Sequence, residues 1–148
     1  MSLAFRNLAI TPDAPVSQWP TEAIRAALER GDLGDWQRIV AELKREPWGP
    51  TARQVEEVLS YSRPYGIADA MEAVLARIRE GAEASERASV AAEIRRAISS
   101  SGLSRAEFAA RIGTSASRLS TYATGKVMPS AALMVRIRRL LEHPRQAG

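Results

Sequence analysis

Residues 103–130 read LSRAEFAARIGTSASRLSTYATGKVMPS. Ser104, Arg105, Ala106 and Glu107 have the form of a capping box. In such a box a hydroxyl accepts from the backbone N–H three residues on, and the Glu side chain there reaches back. They open a short helix through Ile112. Gly113 permits a tight turn without a Cβ penalty. Ser115 caps a second helix, which turns Leu119 and Tyr122 inward and ends at Gly125. Pro129 and Ser130 start a third, with Leu133, Ile137, Leu140 and Leu141 at its apolar positions. Just upstream, Val90, Ile94 and Ile98 form the stripe of a helix that ends at Ser99, Ser100, Ser101 and Gly102.

The rest of the chain also reads as helix. Ala, Leu, Arg and Glu dominate it, and no stretch sustains a period-two alternation. Residues 1–19 read as an irregular arm, with Pro12, Pro15 and Pro20 breaking regular structure. A helix is predicted over 21–30, capped by Thr21 and stopped by Gly31. Another spans 32–45, capped by Asp32, with Trp36, Val40 and Leu43 at helical spacing. A third starts at Thr51, where Thr51 and Gln54 form a further capping box. After a turn at 61–66, a fourth carries Met71, Val74, Leu75 and Ile78 on one face. From 79 to 89 only alanines and Gly81 interrupt charge and serine, so this segment buries little. It reads as a boundary. It is either a linking helix, supported by Glu83 and Arg87 at i,i+4, or a flexible joint. The expected organisation is all-α: an arm at 1–19, a helical dimerisation or partner-binding domain at 20–80, a linker at 81–88, a second domain at 89–142 and a tail at 143–148.

Composition narrows the function classes. The chain has 148 residues, 45% hydrophobic and 26% charged, which suits one ordinary domain or two small ones. It has no cysteine and one histidine, His143, which leaves no disulfide and no zinc site of the usual kind. No cofactor or metal is expected. The longest strictly apolar run, 131–135, is far short of a membrane span, and the N-terminus lacks the apolar stretch of a signal peptide. A soluble, cytoplasmic protein with no membrane partner is the expectation. Nor is an enzyme expected. Glu56 and Glu57 are adjacent on a helix and point in different directions, and no phosphate loop or nucleophile–base pairing is visible. The net charge of +4 is unevenly placed. Residues 1–85 carry 10 Lys and Arg against 13 Asp and Glu, whereas residues 86–148 carry 11 against 4. A basic half beside an acidic half suggests a polyanion-binding module joined to something else.

Two short helices about a glycine turn make a helix-turn-helix. Ala109 must be small where the helices cross. Leu119 anchors the second helix so that its opposite face projects outward. Such a helix fits the major groove of B-DNA, about 12 Å wide. Here the chain resembles the Cro/cI-type (XRE-type) family over about residues 90–141. Phe108, Ala109, Gly113, Ser115, Leu119, Tyr122, Gly125, Lys126, Pro129 and Ser130 fall in register. The resemblance implies a compact bundle of about five helices that binds operator DNA, usually as a dimer. By position it implies a recognition face of Ser115, Ala116, Ser117, Arg118, Ser120 and Thr121. It places Arg105 against the DNA backbone and Lys126 as a phosphate contact. Two positions depart from it. Ala123 stands where the family often has Glu, which would remove a polar contact, and Thr114 stands where an aliphatic residue is common.

Three functions fit this pattern. The first is a sequence-specific transcriptional regulator, a repressor that binds double-stranded DNA as a homodimer. The second is an antitoxin-like protein that neutralises a toxin-like partner through its N-terminal domain and represses its own operon. The third makes the N-terminal domain a small-molecule sensor. Trp19, Trp36, Trp48, Tyr61 and Tyr65 are expected mostly in the core, and exposure of several would mark a protein-binding patch. Arg136, Arg138 and Arg139 read as a solvated helix face, with Arg138 or Arg139 the ones able to reach DNA.

Overall fold

The computed structural model describes residues 4, 5, 8 and 10–142. The expected tail at 143–148, with His143, lies outside the described residues. Among those described there are seven α-helices and no strand: α1 (Thr21–Arg30), α2 (Leu33–Arg45), α3 (Pro50–Tyr61), α4 (Ile67–Ser101), α5 (Arg105–Ile112), α6 (Ala116–Ala123) and α7 (Ala131–Glu142). The all-α expectation is met.

The chain divides into two compact units, Met1–Ala82 and Glu83–Gly148. Helix α4 begins in the first and ends in the second. The loss of apolar pattern over 79–89 does not interrupt it: the alanines, arginines and glutamates there favour helix, against the cost of Gly81 and the serines. Glu83 and Arg87 form no ion pair there.

In the first unit, α1 contributes Ile24 and Leu28 to the core, α2 Ile39 and Leu43, α3 Val55 and Val58, and α4 Met71 and Leu75. Asp32 caps α2 as expected. Its carboxylate accepts from the Asp35 N–H at 3.1 Å, and the Asp35 carboxylate accepts from the Asp32 N–H at 3.0 Å. Gly31 is required between α1 and α2, since a Cβ there would strike the Ala27 carbonyl oxygen.

Three expectations are corrected in this unit. Residues 16–19 are not irregular: Val16–Gln18 is a 3-10 turn, and Trp19 is buried in the core. Its indole N–H donates to the Ala14 carbonyl at 3.0 Å, and its own carbonyl accepts from the Gln54 amide at 2.9 Å. Burial of one large indole organises a segment that has no periodic pattern. Neither Thr21 nor Thr51 is a cap. Pro20 is the N-cap of α1, which makes Thr21 its first helical residue, and Pro50 opens α3 one residue before Thr51. Thr51 is buried in the first turn, and Gln54 serves Trp19 instead of reaching back. The aromatic side chains divide. Trp19 is core and Trp36 packs against it, but Trp48, Tyr61 and Tyr65 are exposed.

The second unit has four helical segments among the described residues, the end of α4 with α5, α6 and α7, where the resemblance implies about five. Ile94, Phe108, Ala109, Ile112, Leu119, Leu133 and Ile137 are buried together, and Val90, Ile98, Tyr122 and Leu140 pack against them. Leu141, expected inside, is exposed in the last turn of α7.

Candidate nucleic-acid interface

Helix α5 is fixed at its start by the predicted capping box. The Ser104 Oγ accepts from the Glu107 N–H at 3.1 Å, and the Glu107 carboxylate accepts from the Ser104 N–H at 3.3 Å. The turn then needs a left-handed residue. Gly113 supplies it with φ of 81°, and the Thr114 N–H donates to the Ala109 carbonyl at 2.9 Å. Ser115 opens α6 by accepting the Arg118 N–H at 3.2 Å. Each of these steps is a local reading of a few residues, which is why the sequence shows them.

Helix α6 is two-sided. Leu119 and Ala123 are buried against the core. Ser115, Ala116, Ser117, Arg118 and Ser120 are exposed. Thr121 is half-buried, and its hydroxyl donates to the Arg118 carbonyl at 2.6 Å, so its acceptor lone pairs are what it offers outward. Ser115 and Ser117 place their hydroxyls 3.2 Å apart at the helix start. Arg105, in the first turn of α5, and Lys126, in the loop after α6, are exposed with no hydrogen-bond or ion-pair partner among the described residues. The Arg118 side chain is equally free.

Two arginines that sequence reasoning did not single out for this purpose hold the pair of helices. Arg95 on α4 donates to the Ala123 carbonyl at 2.6 Å, closing the C-terminal end of α6. Arg136 on α7 donates to the Ile112 carbonyl at 3.3 Å, at the end of α5. Both satisfy carbonyls that a helix end leaves unpaired. The Arg95 contact also supplies an inter-helix polar link at the position where Ala123 departs from the resemblance. Arg138 is bound to the Glu93 carboxylate at 3.0 Å, which raises its pKa, while Arg139 has no partner among the described residues. Of Arg136, Arg138 and Arg139, Arg139 is therefore the one whose side chain is unengaged among the described residues.

The helix pair, its caps and its outward face decide the kinship. Residues 73–147 match the family described as helix-turn-helix domain. The chain belongs to that family. The helix-turn-helix domain lies at the C-terminal end, as the Cro/cI-type resemblance implied, and its match begins within α4, well before the run at 103–130. Comparisons with curated proteins and with solved structures return no match. A helix-turn-helix domain points to a DNA-binding regulator. Among the described residues no group of His, Asp or Glu is arranged to hold a metal ion, and no helix is long and apolar enough to cross a membrane.

Proposed function

We propose that the protein is a sequence-specific transcriptional repressor that binds operator DNA as a dimer through the recognition helix at 115–124. The observation that carries this reading is the free outer face of α6, whose inner face is locked to the core. Its short side chains offer hydroxyls and a methyl contact to thymine, and Arg118 is the one long donor able to pair with guanine or grip a phosphate. Arg105 and Lys126 contact the backbone, together with the N–H groups at the Ser104 and Ser115 helix starts. One such helix gives modest affinity, so two copies on half-sites about 34–36 Å apart supply the rest.

A selection from random oligonucleotides at stated salt tests the reading. The expected product is a two-fold symmetric sequence with half-sites one helical turn apart. Recovery of no enriched sequence at any salt sinks sequence-specific binding, and a strict monomer both free and on DNA sinks the dimer. A reporter with the selected site over its promoter tests repression, and expression is expected to fall.

A further inference from the structure

The first unit exposes four large apolar side chains, Leu33, Trp48, Tyr61 and Tyr65. Two are covered by cations. The Arg79 guanidinium sits 6.0 Å from the Trp48 ring centroid, and that of Arg25 sits 5.6 Å from the Tyr61 ring. Leu33 is 64% exposed and Tyr65 wholly exposed, and neither has such cover. Both stand at one open groove of about 660 Å³ between α2 and the start of α4. Trp36, Val40 and Val74 line it, and its one charged residue is Lys44. Lys44 has no partner among the described residues.

The groove has a direction. Trp36, near the start of α2, lies beside Tyr65 and Ile67. Beyond the end of α2, the Pro47 carbonyl accepts from Arg79, far along α4, at 2.9 Å. The two helices therefore run the same way. Leu33 and Tyr65 mark one end of the groove and Lys44 the other, separated by about 16 Å at helical rise.

We propose that a second copy of this chain occupies the groove, antiparallel to the first across a two-fold axis. A two-fold rotation lays the Leu33 and Tyr65 end of each copy on the Lys44 end of the other, so every contact is made twice. The ammonium then faces an aromatic ring rather than another ammonium. The first unit already pairs cation with ring three times, at Trp19, Trp48 and Tyr61. Leu33 enters the apolar space beside Val74. The surface deepens the dimeric reading given above and rests on it.

The absence of cysteine makes the arrangement testable by pairwise linkage. Lys44→Cys and Tyr65→Cys variants are purified separately, then mixed and oxidised. The mixture is expected to form a disulfide-linked dimer, and either variant alone is not. In sedimentation equilibrium, Leu33→Asp and Tyr65→Ala are each expected to weaken self-association by roughly 10-fold or more. Glu57→Ala, exposed outside the groove, is expected to leave it unchanged, and circular dichroism checks that all variants are folded. A wild-type chain that stays monomeric overturns the proposal and leaves the groove to a partner protein. Unaltered association of Leu33→Asp and Tyr65→Ala, or equal cross-linking in unmixed samples, also overturns it. Operator binding, followed separately by fluorescence anisotropy, keeps the two readings apart. A wild-type dimer on the operator whose association Leu33→Asp and Tyr65→Ala leave unaltered defeats the groove alone. A strict monomer that binds the operator defeats the groove and the dimeric reading together, and a groove dimer that binds no DNA defeats the operator reading alone.

Discussion

Arginine is placed differently in the two units. In the first, Arg25, Arg45, Arg63 and Arg79 each close onto a carboxylate, at Glu29, Glu42, the Asp69–Glu72 pair and Glu56 respectively. Arg38 lies over the Trp19 ring and donates to the Pro12 and Ala14 carbonyls. In the second, Arg138 alone is ion-paired among the described residues, while Arg105, Arg118 and Arg139 have no partner. A cation bound to a neighbour offers little field to a ligand. A cation left in water keeps its field and releases counterions when it meets phosphate. The charge contrast between the halves is thus also a contrast in availability.

The largest effect expected concerns the floor beneath the free cations. Phe108→Ala removes a fully buried ring and is expected to cost about 3–5 kcal/mol of stability, measured by urea denaturation, with DNA binding lost as α6 loses its support. Next is Arg118→Ala, expected to give the largest single loss of operator affinity on α6, about 1–3 kcal/mol by anisotropy at fixed salt. Arg79→Ala, whose guanidinium is engaged in the first unit, is expected to leave that affinity unchanged. If Arg118→Ala equals wild type while Ser117→Ala abolishes binding, the assignment is reversed. Smaller again is the change from Lys126→Ala or Arg105→Ala, each expected to flatten the salt dependence of binding by a slope of about 1. Arg45→Ala is expected to leave the slope alone.

The smallest effect is one of pH, and it belongs to the first unit. The Ser62 hydroxyl and then Arg25 hold the Glu29 carboxyl below its ordinary range, Arg79 does so for Glu56, and Arg63 for Glu72. Lowered values in the folded state contribute stability above the ordinary Glu value of 4.5, and that contribution is lost as pH falls through the lowered values. These pairs are largely exposed, so the loss is modest. All three tryptophans, Trp19, Trp36 and Trp48, lie in the first unit, so their fluorescence follows its unfolding specifically. The midpoint is expected to fall between pH 4.5 and more acid values, and a rise would contradict the pairing.

What the sequence revealed follows the range of the interactions involved. The caps at Asp32, Ser104 and Ser115 and the turn at Gly113 depend on residues within four positions, and all were legible. The readings at Thr21 and Thr51 failed because a neighbouring proline competed for the helix start, a choice set by a single residue. Trp19 and Gln54 meet across 35 positions, and no spacing rule reaches that far. Over 79–89 the missing apolar stripe reported low burial correctly, but burial and helicity are separate properties there. At the candidate interface, the exposed face of α6 was readable from period and kinship. The clamps from Arg95 and Arg136 were not, because a side chain that grips a carbonyl has no partner side chain to betray it. The groove beside Leu33 and Tyr65 was hidden for a related reason, since only packing decides which apolar residues stay uncovered.

The grip of Arg95 on α6 bears on how such a domain changes its target. It holds the Ala123 carbonyl, an atom that every residue possesses, while Leu119 and Ala123 seat the helix from below. Nothing in that anchorage calls on the outer positions 115–118, 120 and 121 except the hydroxyl cap of Ser115. The exposed positions 116–118 and 120 are free to vary without loosening the scaffold. Under the proposed operator reading, grafting a different outer face onto the same α6 is expected to redirect the protein to a different sequence while the fold stays still.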